Sequence, residues 1–273
     1  MPLDLVRVDS VRRAAEVLAA DPEARFLAGG TILMRLVNGN TGTLRQLVLS
    51  DGLGLDRIEI ADRRATIGAG VTMADVLAKP ELAFLRPVAE SIGGPAIRNM
   101  ATVGGNLFAR SPYGDFAVAL LALGATVTVE NALGAESVAL DVLLSGRTRR
   151  EPRIVTAIAF ELPGPGVFRF AKVIRRKPHG AAVLAIAAAL PQIDRRLENV
   201  RVAYGAMAPT PIRVPAVERA LEGRALDSAA TDAAAKVAAE GCDPQSDPFA
   251  SDWYRRNIVS VHLRRLLGAQ PSE

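Results

Sequence analysis

Two of the Gly-Gly pairs in the chain, Gly29-Gly30 and Gly104-Gly105, lie about 75 residues apart. Adjacent glycines allow φ > 0 and remove the Cβ atoms that would hold a ligand away from the backbone. Successive N–H groups in such turns can converge into an anion-binding concavity. The first pair lies in Leu27-Ala28-Gly29-Gly30-Thr31. The second lies in Ala101-Thr102-Val103-Gly104-Gly105-Asn106, with Asp115 nine residues on. Two such turns could grip both phosphates of one dinucleotide, with Thr31, Thr102 and Asn106 adding side-chain donors. Neither turn fits Gly-x-Gly-x-x-Gly, which disfavours a Rossmann site.

Composition narrows the alternatives. The 273 residues are 49% apolar and 23% charged, which reads as one or two soluble globular domains. A net charge of +4 is small against 33 basic and 29 acidic side chains, so nucleic-acid binding is not indicated. Three basic clusters (Arg147, Arg149, Arg150 and Arg153; Arg175-Arg176-Lys177; Arg255-Arg256) read as solvated surface or subunit contact. Cys242 is the single cysteine. It permits no internal disulfide, and an iron–sulfur cluster normally needs four ligands. His179 and His262 stand far apart, which argues against a histidine metal site. The longest apolar run, Ala181 to Leu190, is too short to span a membrane. Met1-Pro2-Leu3-Asp4 has no basic stretch leading into an apolar one, so a cytoplasmic location is expected.

Periodicity outlines the elements. Residues 10–20 predict an amphipathic helix with Ser10 as N-cap, and 25–28 and 44–49 predict strands. Ile58 and Ile60, then Ala65, Ile67 and Ala69, alternate around Asp62-Arg63 and predict a hairpin. Thr72 and Asp75 form a capping-box pattern. Leu82 to Ile92 reads as a helix kinked or divided at Pro87. Ser111-Pro112 reads as a helix start, with Gly124 as its end. Asp115, in the first turn of that helix, either favours the positive end of the helix dipole or accepts hydrogen bonds from ligand hydroxyls. Residues 125–130 predict a strand, and Pro163 to Gly166 a linker. Beyond it, 167–174, 182–190 and 200–206 read as strands, the alanine-rich middle one equally as a helix. Helices follow at 214–221, 229–239 and 253–267.

The motifs also carry a resemblance. Ala28-Gly29-Gly30-Thr31, followed by Ile97-Arg98-Asn99-Met100-Ala101-Thr102-Val103-Gly104-Gly105-Asn106-Leu107, resembles the FAD-binding medium subunit of molybdenum hydroxylases of the carbon monoxide dehydrogenase and xanthine dehydrogenase type. Ser111-Pro112, Asp115 and the stretch Ala119 to Val127 continue the match. So does Phe170-Ala171-Lys172-Val173-Ile174-Arg175-Arg176 with the apolar 182–190 segment behind it. The resemblance runs in order along essentially the whole chain.

It implies an α+β fold. A two-subdomain FAD-binding unit of the vanillyl-alcohol-oxidase (PCMH) type would occupy 1–54 and 55–163. A C-terminal α+β domain of the CO dehydrogenase flavoprotein type would occupy 167–273. The implied FAD contacts are Leu27, Ala28, Gly29, Gly30, Thr31, Ile32 and Leu33 on the first loop, and Thr102, Gly104, Gly105 and Asn106 on the second. Asp115 would also contact FAD, and Ile154 and Lys172 would lie by the flavin half. The implied partners are a molybdopterin-binding large subunit and a two-iron ferredoxin-like small subunit. NAD, a quinone or oxygen would be the outer electron acceptor. No catalytic side chain and no metal site in this chain is implied. Ile32 stands where the family often has an acidic or polar residue, and Ala181 where it often has a tyrosine beside the flavin ring. A free-standing flavin oxidoreductase of the same fold is one alternative. A non-enzymatic subunit that has lost FAD is the other.

Overall fold

The structure is a computed structural model that describes residues 3–39, 44–146 and 153–268. Its first lobe is a three-stranded parallel sheet in the order β1-β3-β2, formed by Asp4–Val6 (β1), Ala24–Leu27 (β2) and Gln46–Leu49 (β3). Helix α1 (Val11–Ala20) connects β1 to β2, and α2 (Leu33–Asn38) follows β2. The Ser10 side chain accepts the Arg13 N–H at 3.2 Å and caps α1, as the sequence predicts. Ala14 and Ala15 of α1, Val48 of β3 and Ile154 form a small separate core. The sequence reading contains no β1: three residues are too few to carry a period.

The second lobe is a five-stranded antiparallel sheet in the order β4-β5-β8-β6-β7. Ile58–Ala61 (β4) and Arg64–Gly68 (β5) form the expected hairpin. Asp62 and Arg63 turn the chain at φ 47° and 61°, the geometry of a two-residue turn matched to strand twist. Helix α3 (Met73–Ala78) starts at a complete Thr72/Asp75 capping box. A short 3₁₀ helix over Pro80–Leu85 leads into α4 (Arg86–Glu90), so the 82–92 segment is divided, with Pro87 in the first turn of α4. Helices α5 (Pro95–Arg98), α6 (Val103–Leu107) and α7 (Asp115–Ala122) follow. Strand β6 (Thr126–Asn131), strand β7 (Gly134–Ala139), helix α8 (Leu140–Ser145) and strand β8 (Ile154–Glu161) complete the lobe. The sequence reading misses β7, α8 and β8. β7 is almost wholly exposed and shows no apolar alternation.

The start of α7 differs from the sequence expectation. The Ser111–Pro112 peptide is cis, and the helix begins at Asp115 behind Gly114 at φ 101°. The cap comes from elsewhere: the Asn106 Oδ1 accepts the N–H groups of Phe116 at 2.9 Å and Ala117 at 3.3 Å. A side chain ten residues upstream does the work that Ser111 would do.

The C-terminal unit is a four-stranded sheet in the order β14-β13-β10-β9. Its strands are Phe168–Ile174 (β9), Ala182–Ala189 (β10), Arg201–Gly205 (β13) and Ile212–Arg213 (β14). A two-stranded ribbon of Gln192–Ile193 (β11) and Arg196–Leu197 (β12) lies beside it. Every residue of β10 is buried. Ala185 and Ala187 face the core shared with α7, while Leu184, Ile186 and Ala188 face the core under the last helices. This period of two settles the alanine-rich segment as a strand. The small side chains admit α7, which is itself buried on all sides. Helices α9 (Pro215–Leu221), α10 (Ser228–Lys236) and α11 (Asp252–Gly268) cover the other face.

One basic cluster is only half surface: Arg256 is exposed as expected, and Arg255 is not. The Arg255 side chain is 1% exposed and donates to the carbonyls of Val183, Gln245 and Ala250 and to Asp247. A guanidinium has enough donors to satisfy four acceptors, which is why it tolerates burial here. Arg175, Arg176 and Lys177 are exposed as expected, and Arg147, Arg149 and Arg150 lie outside the described residues. Among the described residues no helix is long and apolar enough to cross a membrane.

Candidate functional site

Gly29 lies where the two glycine turns meet. A Cβ at this position would fall on the carbonyl group of Met100. Only glycine lets the first loop lie directly against the backbone that leads into the second. Gly30 has φ +67° and is flanked by the side chains of Leu27 and Met34. Among the four glycines of these two turns it alone has left-handed backbone.

The first loop leaves its donors unengaged. Among the described residues, the N–H groups of Gly29, Gly30, Thr31, Ile32 and Leu33 meet no acceptor of this chain, and the pattern resumes only at Met34, which donates to the Gly30 carbonyl at 2.9 Å. Successive backbone donors without partners demand either water or a ligand. The loop from Ala28 to Thr31 is half-buried, and Ile32 is exposed.

The second turn does the opposite, against the sequence expectation of free main-chain donors. Val103 N–H donates to the Val71 carbonyl and Gly104 N–H to the Ala69 carbonyl, both at 2.8 Å. Gly105 N–H donates to Thr102 Oγ1 at 3.0 Å, and Asn106 N–H to the Thr102 carbonyl at 3.0 Å. The turn is the start of α6, docked on the chain that leaves β5. A Cβ on Gly104 would stand 2.7 Å from that of Ala69, whereas one on Gly105 would meet only the Thr102 Oγ1, at 2.8 Å. The donors this turn leaves unpartnered among the described residues are the Thr102 N–H, the Thr102 hydroxyl hydrogen and the Asn106 Nδ2 amide.

Asp115 and Lys172 pair with each other. Lys172 Nζ, on β9, donates to Asp115 Oδ2 at 2.7 Å and to the Ser91 carbonyl at 3.0 Å. The two side chains are 9% and 6% exposed. Burial pushes the Asp115 carboxyl above the usual carboxylate range, against the opposing pull of the Lys172 ammonium. Lys172 also lines a cleft of about 260 Å³ with Pro87, Ser91, Phe170, Ile174 and Pro178. Its walls are otherwise apolar or neutral. A larger depression of about 470 Å³, at the Val6–Asp9 edge of the first lobe, shares no residue with either turn.

The predicted site residues thus form one connected line. Leu27 to Leu33 touch 100–101 through Gly29, Thr102 to Asn106 follow, Asn106 caps α7, Asp115 opens α7, and Lys172 joins Asp115 to the cleft. Ile154 stands apart: its side chain is 3% exposed, in the small core beneath the first lobe. Three participants escaped the sequence reading. The Met100 and Ser91 carbonyls act through main chain, which leaves no residue-type signal. Ala69 was visible only as a strand position. His179 is exposed, and Ala181 is buried behind it. Cys242 is buried, with its thiol pushed up to about 11 by desolvation. Among the described residues no group of His, Cys, Asp or Glu could hold a metal ion.

A family model for the FAD binding domain in molybdopterin dehydrogenase matches residues 1–163, and one for the CO dehydrogenase flavoprotein C-terminal domain matches 169–269. The chain belongs to the FAD-binding medium subunits of molybdopterin dehydrogenases. This FAD-binding subunit is similar to the glyceraldehyde dehydrogenase medium chain of Sulfolobus acidocaldarius, 29% identical over 94% of each chain. It is also similar to the nicotine 6-hydroxylase medium subunit of Paenarthrobacter nicotinovorans, 27% identical over 94% and 93%. Among solved structures, a chain of the reconstituted CO dehydrogenase from Oligotropha carboxidovorans superposes with a TM-score of 0.89 at 26% identity, covering 98% of this chain and 96% of that one. The FAD-binding subunit is therefore part of an oxidoreductase, and the unengaged donors of its first loop suit the charge of its cofactor's pyrophosphate.

Proposed function

We propose that this subunit receives electrons from a molybdopterin-binding large subunit through a two-iron ferredoxin-like small subunit, and delivers them to an outer acceptor such as NAD, a quinone or oxygen. Bound FAD supplies the electron exchange, and the protein supplies binding, orientation and electrostatics. The observation that carries the binding geometry is the row of unengaged N–H groups from Gly29 to Leu33. These donors, with Leu27 and Ala28 leading into them, would hold the pyrophosphate. From the second turn, the Thr102 hydroxyl and the Asn106 amide would add side-chain donors, while Gly104 and Gly105 give the turn its close packing. Asp115 and Lys172 would stand beside the flavin half, and Ile154 would serve as the floor of the first lobe. The subunit's single cysteine supports an iron–sulfur relay in another chain. We propose the cytoplasm as its compartment.

The test is co-expression with the neighbouring genes. We expect a complex that carries FAD, iron and molybdenum, joined through an interface of about 1,600 Å² or more. Substrate should bleach the flavin of the complex and leave that of the isolated chain oxidised. Substrate-driven flavin reduction by the isolated, metal-free chain would instead support a free-standing flavoenzyme. A colourless complex would support a subunit that has lost FAD.

A further inference from the structure

The core under the last helices contains two polar side chains that the proposed flavin site does not use. Tyr204 on β13 is fully buried, and its hydroxyl has no hydrogen-bond partner among the described residues. The register places Tyr204 beside Ile186 of β10 and Ile212 of β14, on the sheet face covered by α9, α10 and α11. Cys242, beyond the end of α10, is buried in the same core. Its thiol lies 3.9 Å from the carbonyl oxygens of Ala238 and Glu240, long contacts even for sulfur. The other side chains of this apolar cluster are aliphatic, apart from the Met207 thioether.

A buried tyrosine normally finds a partner for its hydroxyl, because an unpaired one carries the full cost of its desolvation. Burial pushes the Tyr204 hydroxyl upward, and charge on Cys242 would push it further, so the two groups lie within electrostatic reach of each other. Burial also pushes the thiol up to about 11. Both groups are therefore neutral at neutral pH, and each can donate one hydrogen bond and accept another. With the Ala238 carbonyl beside the thiol, they make up three polar partners, the number a buried water typically takes. We propose that Tyr204 and Cys242 hold an internal water, which bridges the Tyr204 hydroxyl to the Cys242 thiol and the Ala238 carbonyl. Such a water ties β13 to the chain that leaves α10. Lys172 shares its row with Ala185 and Gly205, one residue over from Tyr204. Its side chain therefore leaves the opposite face of the sheet, and the water site is independent of the flavin site.

The test combines a crystal structure of the wild-type subunit with urea unfolding of Tyr204→Phe, Cys242→Ala and the double variant. We expect solvent density within hydrogen-bond distance of Tyr204 Oη and of Cys242 Sγ or the Ala238 oxygen. Tyr204→Phe keeps the ring and removes the anchor of the water, so its urea midpoint should fall. An unpaired hydroxyl predicts the opposite sign, because phenylalanine would relieve it. The double variant should lose less than the sum of the two single losses, since either change alone dislodges the shared water. Flavin absorbance should be the same in all four proteins. A midpoint in Tyr204→Phe that rises or stays put, an additive double variant, or a wild-type Oη that touches protein atoms alone would overturn the inference. The wild-type structure decides the matter even if a variant does not fold.

Discussion

The loop from Gly29 to Leu33 keeps its main-chain donors unengaged and uses Gly29 to lie on the Met100 backbone, whereas the turn from Val103 to Asn106 engages its main-chain donors with Ala69, Val71 and Thr102, and uses Gly104 to lie on Ala69. The same dipeptide therefore serves two ends. In both turns the glycine reports close approach of backbone to backbone. Only in the first does that approach leave a row of donors for something outside the chain. A Gly-Gly pair is a statement about packing first, and ligand binding has to be read from where the N–H groups go.

The comparison is broken most severely at Gly29. Gly29→Val would place a branched side chain on the Met100 carbonyl. We expect the first loop to be levered off the second, with a stability loss of about 3 kcal/mol, the upper end for overpacking, and loss of bound FAD. Denaturant unfolding and the flavin absorbance of the purified variant measure both. Retained FAD in a folded Gly29→Val protein would mean that the contact between the turns is not needed for binding.

Gly104→Ala probes the other side with a smaller effect. Its Cβ would stand 2.7 Å from that of Ala69 and 2.9 Å from the Ala69 carbonyl oxygen. Overpacking of this kind costs about 1–3 kcal/mol. Because the Gly104 N–H is engaged with Ala69, we expect urea unfolding to record the loss while FAD saturates the variant at excess flavin. A Gly104→Ala protein of full stability that does not take up FAD would place the ligand on the second turn's main chain and erase the contrast between the turns.

Much of the frame was legible because it rests on local chemistry. Ser10, the Thr72/Asp75 box and the Asp62-Arg63 turn each act within four residues of themselves, and the sequence window contains both partners. The start of α7 was misread because its cap comes from Asn106, and nothing near Ser111 announces that. The pairing of Asp115 with Lys172 joins residues 57 apart, so the sequence offered both as ligand contacts and neither as the other's partner. Arg255 looked like surface because burial of an arginine depends on the carbonyls of Val183, Gln245 and Ala250, and carbonyls look alike in every residue.

Thr102→Val is the smallest and most discriminating change. Valine keeps the branched shape and removes Oγ1, the acceptor of the Gly105 N–H at 3.0 Å. Loss of such a cap costs about 1 kcal/mol, so urea unfolding should record a drop of that size. The effect on FAD then depends on which donor the second turn contributes. If the Thr102 hydroxyl donates to the pyrophosphate, as we propose, the variant loses one charge-assisted hydrogen bond. That bond contributes about 1.5 kcal/mol, roughly a tenfold weaker affinity in a flavin fluorescence titration. If the second turn instead binds through main chain, with Thr102 as a competitor for the Gly105 N–H, the same variant frees that donor and binds FAD more tightly. A tighter complex would make the two turns alike in function after all, the second differing only in carrying its own internal acceptor.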